Sequence, residues 1–130
     1  MEITELRKRI ENKPVEDQLK TLAEIFPEKV VFTSSFGIED QVISHMIFEN
    51  NIPVDVVTLD TGRLFPQTYK VFNETIKRYQ KKINVYFPEN VAVENMMTEK
   101  GPFSFYISLE NRLECCRVRK LEPLTRALEN

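Results

Sequence analysis

The sequence predicts an α/β fold built on a parallel sheet with flanking helices, on the strength of three observations. Short runs rich in apolar and β-branched residues occur at 29–33, 54–59 and 83–87. Longer stretches with apolar residues at helical spacing separate them, and strands that alternate with helices through short links form right-handed crossover units. The turns leaving the first two runs are polar, TSSFG and DTGR. In such sheets ligands sit at the carboxyl ends of the strands, so both turns are expected on one edge, side by side.

Each element follows in order. Thr4 to Asn12 reads as a short helix capped by Thr4, and Pro14 as the first residue of a second. Val15, Leu19, Leu22, Ala23 and Phe26 give the second helix one apolar face, and Pro27 ends it. These N-terminal helices, residues 1–28, are expected to cover one side of the sheet. Lys29 to Thr33 is the first strand, near-continuous in apolar residues as a strand covered on both faces must be. The helix Ile38–Glu49 follows, with Glu39 and Asp40 in its first turn, where the macrodipole favours carboxylates. Its inner side is expected to carry Ile38, Val42, Ile43, His45, Met46 and Ile47; His45 is assigned no ligand role.

Val54–Leu59 is the second strand, and Pro66 opens a helix marked by Tyr69, Phe72, Ile76 and Tyr79. Ile83–Phe87 is the third strand, stopped by Pro88. Val91–Lys100 reads as a helix with Val91, Val93, Met96 and Met97 as its apolar set, the methionines being core filler. Gly101 and Pro102 break it, and Phe103, Phe105 and Tyr106 are expected to pack on the sheet. The last segment places Val118, Leu121, Leu124 and Leu128 at helical spacing and carries Arg117, Arg119, Lys120 and Arg126; Pro123 implies a kink or break.

Composition narrows the function classes. The 130 residues amount to one domain, 42% hydrophobic and 29% charged, as in soluble globular proteins. A net charge of −2 gives no reason to expect nucleic acid or a membrane surface as partner. No apolar run approaches the roughly 18 residues of a membrane span, and no secretory signal opens the chain, so a cytoplasmic location is expected. The two cysteines, Cys115 and Cys116, are adjacent. A disulfide between neighbours is strained, so the pair reads either as metal, cluster or redox ligands or as ordinary half-buried thiols. The turn Ser34, Ser35, Phe36, Gly37 at a helix start offers N–H groups and hydroxyls to a phosphate or sulfate. A side chain at Gly37 is expected to crowd such an anion.

Four motifs together resemble one family. TSSFGIED at 33–40, TLDTGRLFPQTY at 58–69, KGPFSFY at 100–106 and ECCRVRKLEPLTRAL at 114–128 occur in the order and spacing of the sulfonucleotide reductases. These reduce adenylyl sulfate (APS) or phosphoadenylyl sulfate (PAPS), and the chain is similar to their N-terminal half over about residues 30 to 128. The resemblance implies an adenine-nucleotide α-hydrolase-like fold and makes residues 29–130 a nucleotide-binding core with a cysteine helix, C-terminally truncated. It implies that Ser34, Ser35, Phe36, Gly37, Glu39 and Asp40 match a modified pyrophosphate loop. Leu59, Asp60, Thr61, Gly62 and Arg63 match the segment that holds adenine and ribose. Lys120 matches a lysine near both cluster and substrate. Cys115 and Cys116 resemble the tandem cysteines of the APS-using branch, two of the four ligands of a 4Fe–4S cluster.

The implied activity is reduction of APS to sulfite and AMP with thioredoxin as electron donor, in sulfate assimilation. In the family a further cysteine near the C-terminus attacks the sulfur, releasing AMP and leaving a thiosulfonate from which thioredoxin frees sulfite. Neither cysteine here matches that nucleophile, nor is the second cluster pair present, so the 130-residue chain is expected to be inactive alone, with no catalytic residue of its own. It is also expected to hold iron weakly, and exposed apolar surface on its cysteine helix favours a homo-oligomer. A PAPS reductase is the nearest alternative, against which the cysteine pair weighs. A non-catalytic adenine-nucleotide-binding module is another. An ATP-pyrophosphatase would be favoured by a Ser-Gly-Gly-x-Asp-Ser loop, where this chain has Ser-Ser-Phe-Gly-Ile-Glu-Asp.

Overall fold

A computed structural model describes residues 1–129. Helices α1 (Ile3–Ile10) and α2 (Val15–Ile25) precede β1 (Val31–Thr33), α3 (Ile38–Glu49), β2 (Asp55–Leu59), α4 (Pro66–Tyr79) and β3 (Asn84–Tyr86). Helix α5 (Asn90–Lys100), a 3-10 turn at Ser104–Tyr106 and α6 (Leu109–Cys116) follow. A π-helical turn at Arg117–Leu121 then leads into α7 (Glu122–Leu128).

The sheet has the order β1-β2-β3 and is parallel throughout, as the alternating pattern predicts. Thr33 pairs with Val57, so β2 runs on past the end of β1; Ser34 N–H then donates to the Val57 carbonyl at 2.8 Å. This bond sets the first polar turn beside the carboxyl end of β2. Val56, Val57 and Thr58 are all buried, as befits a central strand covered on both faces. Leu19 and Ala23 bring α2 onto the core, where Ile47, Phe48, Ile52 and Ile83 also pack. Helices α3 and α4 meet through Gln41 on Thr75 and His45 on Tyr79, and Phe36 in the turn before α3 stacks on Phe72.

Several local expectations are corrected. Glu2 rather than Thr4 caps α1, and Pro14 is the cap of α2 rather than its first residue; its ψ of 149° is extended. The strands are shorter than their apolar runs: Val30, Val54, Ile83 and Phe87 fall outside the strand bounds, although the Val30 carbonyl still accepts from Asp55 N–H at 3.1 Å. Helix α3 buries Ser44, Ile47 and Phe48, whereas Ile38 is 85% exposed and Val42 and His45 also face outward. The apolar residues of α3 run all round it, so spacing alone leaves its inner face undetermined. In α5 only Met96 is buried; Val91 and Met97 are exposed. The aromatic cluster does not pack on the sheet: Phe103 and Tyr106 are exposed and stack with Phe105 around Arg63.

The largest departure lies at the C-terminal end. The break implied by Pro123 is a π turn just before it. Proline lacks an N–H and its ring presses on the carbonyl four residues back, that of Arg119, and a widened turn relieves both. The extra residue rotates the helix. Arg119, Pro123 and Ala127 therefore face inward, while Leu121 and Leu128 are exposed.

Candidate nucleotide and cysteine site

Two clefts open beyond the carboxyl edge of the sheet. The first, about 410 Å³, is lined by Thr33, Ser34, Ser35, Asp40, Leu59, Thr61, Leu64 and Lys120. The second, about 450 Å³, is lined by Thr61, Arg63, Phe105, Tyr106, Arg112, Cys115, Cys116, Arg119 and Lys120. Thr61 and Lys120 belong to both, so the clefts share a wall.

The first cleft is held by a closed set of hydrogen bonds. Asp40 Oδ2 accepts from both the backbone N–H and the hydroxyl of Ser35, each at 2.8 Å. Ser34 Oγ accepts from Phe36 N–H at 3.1 Å. Phe36 has a positive φ of 63°, which turns its side chain away from the cleft and into the core, stacked on Phe72 at 4.8 Å. Of the residues assigned to this loop, then, Ser34, Ser35 and Asp40 line the cleft. Phe36 serves packing, and Glu39 projects from the exposed first turn of α3. Gly37 is the N-cap of α3 with extended φ and ψ of −70° and 169°, which any residue adopts. A Cβ there would lie 3.5 Å from the Glu39 carboxylate, an ordinary contact, so no protein neighbour requires glycine at this position.

The second turn is tied down from below. Asp60 is buried and accepts from Gly62 N–H at 2.8 Å and from the Tyr69 hydroxyl at 3.0 and 2.8 Å. The hydrogen bond to the Asp60 carboxylate, with partial desolvation and its negative charge, holds the Tyr69 phenol above its usual pKa of 10.0. Asp60 thus braces the turn and does not line either cleft. Gly62 has a φ of +80°, a conformation that suits glycine. Arg63 points away from the first cleft. It donates to the Pro102 carbonyl and lies 5.3 and 5.2 Å from the ring centres of Phe103 and Phe105.

The second cleft differs in chemistry. Its lining holds four basic side chains, Arg63, Arg112, Arg119 and Lys120, and no carboxylate. Cys115 and Cys116 are free, half-buried thiols in the last turn of α6. That helix is capped by the Ser108 hydroxyl, which accepts from Asn111 N–H at 3.1 Å. It is anchored to α5 by Lys100, whose ammonium lies 3.2 Å from Glu114. No cluster of three or more His, Cys, Asp or Glu side chains able to hold a metal occurs among the described residues. The two thiols thus lie in a cleft whose positive charge suits an anionic group.

A family model described as the phosphoadenosine phosphosulfate reductase domain matches residues 29–130. The chain belongs to this family. It is 48% identical over 101 residues to the adenosine 5'-phosphosulfate reductase of Sinorhizobium fredii, an alignment that spans 78% of this chain and 40% of that protein. It is 41% identical over 126 residues to the chloroplastic 5'-adenylylsulfate reductase 3 of Arabidopsis thaliana, covering 96% of this chain and 27% of that one. The crystal structure of the phosphoadenylyl-sulfate reductase of Candida auris, a phosphate complex, superposes with a TM-score of 0.77 at 24% identity. That superposition covers 98% of this chain and 62% of that one, and it establishes the shared fold. The chain thus spans about two-fifths or less of the length of these sequence relatives. No helix among the described residues is long and apolar enough to cross a membrane.

Sequence reasoning missed Arg119 and Arg112 as lining residues and Tyr69 as the brace of Asp60. Arg119 carried a signal: it stands four residues before Pro123, where the helix must open.

Proposed function

We propose that this chain is the nucleotide-holding portion of an adenylyl-sulfate reductase. The whole protein would reduce APS to sulfite and AMP while oxidising the dithiol of thioredoxin to a disulfide, as a step of sulfate assimilation. The observation that carries the reading is the shared wall: a hydroxyl-rich cavity at the strand ends meets a carboxylate-free, cation-lined cleft with two free thiols. The names of the sequence relatives, adenosine 5'-phosphosulfate and 5'-adenylylsulfate reductases, support the choice of APS.

In this reading the N-terminal turn of α3, with Ser34 and Ser35, meets the charged end of the substrate. Leu59, Thr61 and Gly62 hold the adenosine side on the turn that Asp60 and Tyr69 brace. Lys120, which has no hydrogen-bond partner or ion pair among the described residues, offsets charge from both clefts. Cys115 and Cys116 would hold one side of a 4Fe–4S cluster, the remaining thiolates coming from outside these 130 residues. Such a cluster, when bound, supplies a compact anionic and polarisable group beside the substrate cavity. Ser35 N–H is already taken by Asp40, so a phosphate oxygen there must displace the carboxylate or use the neighbouring free N–H groups of α3.

The test pairs binding with turnover. Calorimetry should find one AMP and one APS site per chain. With APS and thioredoxin the 130-residue chain should release no sulfite above the protein-free background, because neither cysteine matches the family's nucleophile. Absence of nucleotide binding would refute the reading, and sulfite release would refute the division of labour.

A further inference from the structure

Arg119 is the one enclosed basic side chain among the described residues, 7% exposed. Its Nη1 donates to the Thr61 carbonyl at 2.6 Å, Nη2 reaches Met97 Sδ at 3.6 Å, and Nε is shielded from solvent without a partner. No carboxylate answers its charge: the ion pairs of the described residues join Arg9 to Glu5, Lys100 to Glu114 and Arg126 to Glu122. Enclosing a guanidinium without a counter-charge costs stability that an aliphatic side chain would not, so packing does not account for it.

Its contacts point to another role. Thr61, whose carbonyl it holds, lines both clefts. The next residue, Gly62, leaves room for it: a Cβ at Gly62 would come within 3.3 Å of Nη1. At its other end Arg119 is rooted in the π turn that directly continues the cysteine helix, four residues after Cys115. One planar, two-armed side chain therefore spans from the cysteine helix to the turn that shapes the first cleft.

We propose that Arg119 is a positioning residue that makes the Asp60–Arg63 turn and the cysteine helix move as one unit. A ligand that fixes the turn then fixes the thiols, and a group bound by the thiols tightens the first cleft, since coupling between two sites is reciprocal. The strut rests on the contacts above; its extension to a nucleotide rests on the proposed function.

A double-mutant cycle read by hydrogen exchange tests it. Gly62→Ala strains the turn and presses on Arg119, and should accelerate amide exchange across 113–121 by about threefold or more, a coupling of ordinary size for residues in contact. In an Arg119→Lys or Arg119→Ala background, Gly62→Ala should leave that segment unchanged; the lysine variant serves if the alanine variant does not fold. Equal acceleration with and without Arg119, or none with it, overturns the proposal; a purely structural arginine would give additive effects. AMP titrated into the same proteins separates the two readings. Coupling without AMP binding keeps the strut and removes the nucleotide. AMP binding with an additive cycle does the reverse.

Discussion

The two clefts share Thr61 and Lys120 and are otherwise opposites. In the first, polar groups answer one another: Asp40 holds Ser35, Ser34 holds Phe36 N–H, and Asp60 below holds Gly62 and Tyr69. In the second, no carboxylate answers the charge: Arg63 and Arg119 are held only by carbonyls, aromatic rings and the Met97 sulfur, and Arg112 and Lys120 share the space with two thiols. A satisfied cleft is preformed and rigid, and the cost of ordering it is met on folding. An unsatisfied one is shaped for a group that brings its own negative charge. Under the proposed function, the strand ends would give the specificity of nucleotide binding, and the cysteine helix would face a charge-bearing group.

The comparison breaks most readily at Gly62. Gly62→Val forces a β-branched residue to a φ of +80° and sets its Cβ against Arg119. Backbone strain of roughly 1–2 kcal/mol adds to that contact, so AMP affinity measured by calorimetry should fall by about tenfold or more. An unchanged affinity would mean the turn does not shape the cavity.

Tyr69→Phe should have the next largest effect, because it removes a donor from buried Asp60 and leaves Gly62 N–H to hold it. Its pH dependence gives the sharper reading. The folded-state pKa of Tyr69 lies above its unfolded value of 10.0. The folded state therefore keeps the proton longer, and this contribution is fully present below the unfolded pKa and lost as pH rises through the folded one. The urea midpoint of wild type should exceed that of Tyr69→Phe at neutral pH, and the gap should close in strong alkali. A gap that is constant with pH would separate the phenol from the brace.

The smallest effect is expected at Gly37. Its φ of −70° and ordinary Cβ clearance leave room for a methyl group, so Gly37→Ala should change AMP affinity less than about threefold. A loss as large as that of Gly62→Val would reveal close backbone approach by an anion.

These two glycines also show what the sequence could and could not disclose. Both stand in polar turns after strands, and sequence alone made them alike; φ distinguishes them. The parallel sheet and the adjacency of the two turns were legible, because apolar runs alternating with helical periodicity leave few topologies. The inner face of α3 was not, since its apolar residues surround it and its buried positions include Ser44. Arg119 was hidden for another reason. A 3.6-residue repeat places Val118 and Leu121 inside, and the π turn before Pro123 rotates the register so that the arginine enters instead. Likewise the aromatic trio reads as core in composition, but it clusters beside Arg63 at the surface, and Phe105 and Tyr106 wall the cysteine cleft.

The most direct test of a nucleotide cavity at the strand carboxyl ends is an amide chemical-shift map of the ¹⁵N-labelled chain titrated with AMP. Residues 34–40 and 60–63 should shift together. The groove of about 280 Å³ at the opposite end of the strands, with Asn51, Asp55, Lys82 and Asn84, should stay unmoved. Shifts confined to that opposite groove, or none at all under AMP excess, would contradict the account.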